Sequence, residues 1–491
     1  MSSLADLQVL GDVDVGPPQL TARRLAVPIR VGEHSTELVF SYDEDVFDPV
    51  DPASQNLAAV IGAQLALNYG LFADRIVLHG LFDAADRALL ADALENTSVE
   101  IYTNKLLHSN VFLRPPASDL VPEVRERYTQ AALVFADPVW VGSAVKADPD
   151  PFPGHVAVLA SGGKDSLLTQ GMLEELGCRA DALFVNESGR HWYSALNGYR
   201  HLAATRPGTA RVWSNCDRVF NWFLRRIPWV RQDFQRVRAD HYPLRLWTVA
   251  VFLTAVLPIV RKRGITRIFI GDEIDTTRRE RLALPNGGEI WHHDGVYDQS
   301  VWFDQQLTAW YAAKGWTLLQ GSLLRPMGEL LIQLALAVRY PDLLREQVSC
   351  HAASIVGGRV VPCARCAKCR RIVGSLLAGG ADPSACGYQP VDVSRILHEL
   401  ASEPMNQDFE TSAHLRWLLQ RRDLLGPTTL PTEPHPEALA LRFDPVCCPP
   451  DWLPADILGP YLPFAQRLVD DVLRATGERQ APMAAVGPPT P

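Results

Sequence analysis

Apolar and polar positions change rhythm several times along this chain, and each change predicts an element. Residues 19–42 read as strands with a hairpin near 32–34, where Gly32 supplies the turn. A helix is predicted over 52–68, a strand over 75–81 and a helix over 84–94, giving an α/β unit over 1–145. The stretch KADPDPFPG, 146–154, is rich in prolines and acids that cannot continue a helix or a central strand, so a linker and a domain boundary are expected there. From 156 to 176 an apolar run passes through SGGKDS into a helical pattern, which reads as strand, loop and helix.

Further strands at 180–185, 210–214, 267–270 and 317–320 alternate with helical patterns, including the apolar stretch 246–260, which contains Pro258 and is too short to span a bilayer comfortably. This alternation predicts a doubly wound parallel sheet over 155–345, with ligands at the carboxyl ends of its strands. A cysteine-rich segment occupies 346–390 and a helical region 391–479, with helices over 391–400 and 414–422. The tail, 480–491, is expected to be disordered.

Composition narrows the functional classes. With 47% hydrophobic and 21% charged residues among 491, the chain has the make-up of a globular protein of two or three domains. A net charge of -9 argues against a general grip on nucleic-acid phosphates. The opening MSSLADLQVLGDVDVG holds no long apolar core, so neither a signal peptide nor membrane insertion is expected, and a cytoplasmic location follows.

SGGKDS carries the sharpest chemistry. Gly162 and Gly163 let backbone N–H groups approach an anion, the following helix points its positive end at the same spot, and Ser161 and Ser166 add hydroxyls. Lys164 adds a positive charge. Walker A spacing fails, because Val158 stands where a glycine is needed and Asp165 follows the lysine. The motif resembles the PP-loop of the ATP pyrophosphatases, which implies a nucleotide site at Ser161, Gly162, Gly163, Lys164, Asp165 and Ser166. It also implies cleavage of ATP to AMP and pyrophosphate with Mg²⁺.

Other strand ends supply candidates. NESGRH follows the second core strand, from Asn186 to His191. After the fourth comes GDEIDTTRRE, whose Asp272, Glu273 and Asp275 precede Arg278, Arg279 and Arg281; such a mixture suits Mg²⁺, substrate carboxylates or proton transfer, or forms a solvated loop pairing with itself. In GGEIWHHDGVYDQS, His292 and His293 would point to opposite faces of a strand, leaving one as a candidate acid or base. The segment 95–115, ENTSVEIYTNKLLHSNVFLRP, is either a helix capped by Thr97 or Ser98 or a substrate-contacting stretch.

Nine cysteines are present, and Cys350, Cys363, Cys366 and Cys369 provide the four soft ligands of a structural zinc; an iron–sulfur cluster is the alternative.

Together, the loop and the cysteines resemble the 7-cyano-7-deazaguanine synthases, which adenylate a carboxylate, although NESGRHW and GDEIDTT stand where that family has other motifs. The layout as a whole, with ENTSVEIYTNKLL and GDEIDTT, resembles the MurL family, the UDP-N-acetyl-α-D-muramoyl-L-alanyl-L-glutamate epimerases of peptidoglycan synthesis. That resemblance implies a UDP-muramoyl dipeptide substrate supplied by an L-Glu-adding muramoyl ligase, and an acyl-adenylate whose Cα–H is acidic enough to exchange. Asp272, Glu273, His292 and His293 are then the candidate acids and bases, with Lys164 and Asp165 at the nucleotide and Arg278 or Arg279 on a carboxylate or the UDP phosphates. A deazapurine ligase and a non-enzymatic nucleotide sensor are the rival readings.

Overall fold

The polar–apolar alternation of the first forty residues becomes four strands: β1 (Asp12–Val15), β2 (Gln19–Thr21), β3 (Arg24–Val31) and β4 (His34–Tyr42). β3 and β4 form the expected hairpin, paired from Arg24↔Ser41 to Val31↔His34 around Gly32, whose φ of +56° a side chain would strain. The computed structural model describes residues 2–142, 154–237, 242–446, 448–449 and 452–478. The expected linker, apart from Gly154, and the expected disordered tail lie outside these residues.

α1 (Pro52–Ala63) starts where Asp51 accepts the N–H groups of Ala53 and Ser54, with Pro52 at its first position. β5 (Arg75–Leu78) follows. α2 (Ala84–Ile101) departs from expectation: instead of ending near Leu94, it runs on and continues into a π-helical turn, Tyr102–Leu106. Thr97 and Ser98 therefore cap nothing. No glycine or proline interrupts the helix there, and the Ser98 hydroxyl donates back to the Leu94 carbonyl at 2.8 Å. The actual cap is Asp83, reciprocated by Asp86. β6 (Ala132–Phe135) closes this part.

The second half runs β7 (His155–Ala160), α3 (Lys164–Glu175), β8 (Arg179–Asn186), α4 (His191–Thr205), β9 (Ala210–Ser214), α5 (Cys216–Leu224), α6 (Thr248–Lys262) and β10 (Arg267–Phe269). A hairpin of β11 (Glu280–Leu284) and β12 (Gly288–His292) precedes α7 (Val301–Ala313), β13 (Leu319–Gly321), α8 (Glu329–Arg339) and α9 (Pro341–Leu344). A second hairpin, β14 (Ser354–Val356) with β15 (Arg359–Val361), leads into α10 (Ala367–Ala378), α11 (Pro390–Ser402), α12 (Phe409–Arg421) and α13 (Ala455–Thr476).

Among the described residues the result is an α/β protein around a large, mostly parallel sheet of eleven strands. Its order is β13-β10-β7-β8-β9-β4-β3-β1-β5-β6, with β2 beside β3. β7, β8 and β9 proceed one way while β10 and β13 lie on the other side of β7, so the crossovers reverse between β7 and β10. That reversal opens a crevice at the carboxyl ends of these two strands.

The two sequence units share this sheet. β9 pairs antiparallel with β4 from Phe40↔Ser214 to Tyr42↔Val212, which covers an edge that each would otherwise expose. Both faces of the β7–β8 region are buried. Val156, Val158 and Ala160 enter one core with Ala182 and Phe184, whereas Ala157, Leu183 and Val185 enter the other. The first of these cores also holds α3, α8 and the C-terminal helices.

α13 lies within the region expected to be helical and carries Pro460 and Pro463 in its interior. Both are exposed, and Ile457, Tyr461, Phe464, Leu468 and Val472 line the opposite, buried face at helical spacing. Among the described residues no helix is long and apolar enough to cross a membrane.

Candidate functional site

SGGKDS occupies the turn from β7 into α3, on the crevice. Gly162 has φ +72°, and a Cβ there would lie 2.8 Å from the Ser194 carbonyl and from Ala195 Cα, so the loop lies flush on the first turn of α4. Internal bonds fix its shape: Ser161 N–H donates to Ser166 Oγ at 3.1 Å, Gly163 N–H to Ser161 Oγ at 3.4 Å, and Ser166 Oγ–H to the Gly163 carbonyl at 3.3 Å. Gly163 is the N-cap of α3 and offers no side chain to the helix's first N–H groups, which leaves the positive end of the helix facing the crevice.

The loop after β10 closes on this turn. Gly271 lies so near that a Cβ there would meet Asp165 Cβ at 2.6 Å. Lys164 Nζ donates to Asp165 Oδ1 at 2.6 Å and to Glu273 Oε2 at 3.3 Å. Burial alone would pull Lys164 down, but Asp165 and Glu273 hold its ammonium well above the usual lysine range. Burial pushes Glu273 up to about 8, against the pull of Lys164 and with the help of Asp165, Glu329 and Asp275. Glu273 still keeps a fifth of its side chain open. The structure thus brings Lys164, Asp165 and Glu273 together, with the buried lysine ammonium between the two carboxyl groups.

Asp272 is placed differently from its neighbour. It is 1% exposed and lies 3.4 Å from Arg325 Nη2, which also donates to Asp304 at 2.6 Å. Arg325 Nη1 donates to Thr276, Thr277 and the Gln299 carbonyl. Asp272 therefore anchors the GDEIDTT loop from beneath, and a group held this way is poorly placed to reach substrate. Arg325 and Asp304 were missed in the sequence, although inspecting the residues after the fifth core strand, SLLRPMG, would have found the arginine.

His292 and His293 gather with α2 and its π-helical turn. The backbone N–H groups of His293 and Gly295 donate to the two oxygens of Glu100 at 2.6 and 2.7 Å. Burial pushes Glu100 up to about 7, against these bonds, and pulls His293 down to about 4, aided by Arg279 and His292. His292 is lowered too, by burial against the pull of Asp294. The segment 95–115 thus contacts the HHDG loop, a pairing that neither stretch discloses alone. Arg278 and Arg279 are exposed: Arg278 lies 3.6 Å from Asp275, and the Arg279 guanidinium sits 5.4 Å from the Trp291 ring centre.

The four cysteines converge as expected. Cys350, Cys363, Cys366 and Cys369 place their sulfurs within 4.8 Å of one another, an arrangement able to hold a metal ion. Three separations are 3.5, 3.8 and 3.9 Å, between Cys366 and Cys369, Cys366 and Cys350, and Cys363 and Cys369. Those are too long for disulfides. A tetrahedral ion with metal–sulfur bonds of about 2.3 Å puts its sulfurs about 3.8 Å apart. A polynuclear iron–sulfur cluster attaches its thiolates to different irons and spreads them further. The cluster borders the loop, because the Val348 N–H donates to the Gly162 carbonyl at 3.3 Å, two residues before Cys350.

No family model matches this sequence, and searches among curated proteins and among solved structures return no match.

Proposed function

We propose that the chain is a PP-loop ATP pyrophosphatase of the MurL kind, which adenylates the terminal α-carboxylate of UDP-MurNAc-L-Ala-L-Glu and epimerises that glutamate to D-Glu. The observation that carries this reading is the approach of SGGKDS and GDEIDTT across the switch point between β7 and β10, with Lys164 between Asp165 and Glu273. Order 3-2-1-4-5 among the five core strands, counted from β7, puts this loop where an α/β sheet binds its ligand.

The N–H groups at the start of α3 and Lys164 would bind the pyrophosphate, and Asp165 is the carboxylate placed to hold Mg²⁺. Mg²⁺ would offset charge on the ATP oxygens. Adenylation turns the glutamate carboxylate into an electron-poor mixed anhydride, so a base of ordinary strength can take the Cα proton and another group can return it from the opposite face. Zinc at the four cysteines would be structural, since four thiolates leave no open position, and it would pin the 348–351 segment against the loop.

Lys164→Ala and Asp165→Ala test the reading. AMP release driven by the muramoyl dipeptide should fall to background in both; turnover equal to that of the parent protein would refute it.

A further inference from the structure

The epimerase reading calls for two proton-transfer groups on opposite faces of the glutamate or one mobile group, and the loop is flanked from two sides. β10 and β8 lie on either side of β7. Glu273 enters from the β10 side. On the β8 side a second array stands at the same edge of the sheet, assembled from the NESGRH loop, residue 242, the start of α5 and the segment after Cys350.

His191 opens α4, and its Nε2 lies 2.6 Å from Tyr242 Oη. Its Nδ1 is 4.0 Å from Glu187, a carboxylate that is 1% exposed and accepts the Trp192 N–H. The His351 ring centre is 4.4 Å from that of His191, with Lys368 Nζ 3.4 Å from His351 Nε2. Arg245 completes the array. It donates to Asp217 at 2.7 Å and its guanidinium stands 5.0 Å from the Tyr242 ring centre, while its Nη2 is buried without a partner among the described residues. Such an unmatched guanidinium N–H, just ahead of α6, suits a carboxylate of the substrate.

The array adjoins the nucleotide loop. Gly162 rests on Ser194 and Ala195, one turn along α4 from His191, and its carbonyl accepts the N–H of Val348, three residues before His351.

We propose, on the basis of the epimerase reading, that Tyr242 is the catalytic group on one face of the glutamate Cα, with His191 as its positioning residue and proton acceptor, and that Glu273 serves the other face. In the L to D direction Tyr242 Oη takes the Cα proton as its own phenol proton passes to His191 Nε2. The C–H electron pair moves onto the acyl oxygen. Glu273 then releases its carboxylic proton to Cα from the opposite side as the electron pair returns to form the new C–H bond. The imidazolium and the carboxylate left behind reset by exchanging a proton through solvent.

The protonation states match these roles. Burial holds His191 well below the usual imidazole range, with Arg245, His351 and Lys368 acting the same way, so it is neutral and ready to accept. Burial raises the Tyr242 phenol while Arg245 opposes the rise. Glu273, pushed up to about 8, carries a proton at neutral pH.

The test compares Tyr242→Phe and His191→Asn with the parent protein in D₂O, using ATP, Mg²⁺ and UDP-MurNAc-L-Ala-L-Glu. ATP–pyrophosphate exchange reads adenylation, and deuterium entry at the glutamate Cα reads proton transfer. Tyr242→Phe should keep ATP–pyrophosphate exchange within about threefold and lose deuterium entry by about a hundredfold or more. His191→Asn should slow deuterium entry and shift its pH profile. Deuterium entry at the parent rate in Tyr242→Phe overturns the proposal, as does a loss of adenylation equal to the loss of deuterium entry. Absence of ATP–pyrophosphate exchange in the parent protein refutes the epimerase reading itself, a result separate from either.

Discussion

Gly162→Ala isolates the geometry on which nucleotide binding depends. At φ +72° an L side chain costs about 1–2 kcal/mol. The new Cβ would also stand 2.8 Å from the Ser194 carbonyl and Ala195 Cα, backbone atoms of a packed helix that cannot swing aside. Overpacking of that kind adds about 1–3 kcal/mol. The sum, about 2–5 kcal/mol, falls on the loop's binding-competent form, and even its lower end depletes that form about thirtyfold. Calorimetric titration with ATP and Mg²⁺ should show affinity reduced by at least that factor. Gly287→Ala is the control: its φ is +84°, but nothing lies within 4 Å of its Cβ position, and it sits at the tip of the β11–β12 hairpin. It carries the strain without the collision and should bind ATP like the parent. If Gly162→Ala also bound ATP like the parent, the loop would not be the nucleotide site.

Metal analysis should give one zinc per chain, with no labile sulfide. Cys366→Ser should lose the zinc and lower the melting temperature; iron, or a metal-free chain of unchanged stability, would contradict the four-thiolate reading. Arg325→Met leaves Asp272 and Asp304 buried without their partner and should cost about 3–5 kcal/mol in urea unfolding, whereas exposed Arg278→Ala should cost no more than about 0.5. Equal effects would mean that the buried cluster does not hold the GDEIDTT loop. Glu100 sets a pH dependence: its folded value of about 7 lies above the ordinary carboxylate value, so the folded state binds the proton more tightly. Its contribution to stability is full below about pH 4.5 and lost as pH rises through 7, about 3 kcal/mol in all. The Glu100 carboxyl carbon, followed by NMR, should titrate near 7; titration near 4.5 would contradict the burial argument.

Local chemistry announced the parts of this protein that act locally. SGGKDS after an apolar strand, the spacing of Cys363, Cys366 and Cys369, and the Gly32 turn each depend on neighbours in the chain. Contacts between distant segments were not legible. Nothing in residues 34–42 says that they pair with 210–214, because an edge strand shows its own alternation and not its partner. Arg325 looks like one charge in an apolar stretch until Asp272 and Asp304 come to meet it. Glu100 and the HHDG loop are nearly two hundred positions apart, and their contact exists only because α2 continues past the place where composition suggested a new start. α13 keeps Pro460 and Pro463 on its solvent face, and a long apolar stripe holds its other side against the core.

The central claim is settled most directly by incubating the purified protein with ATP, Mg²⁺ and UDP-MurNAc-L-Ala-L-Glu, then measuring AMP and the chirality of glutamate after acid hydrolysis. The account predicts that AMP and D-Glu form together. ATP left intact, or AMP formed with all glutamate remaining L, would contradict it.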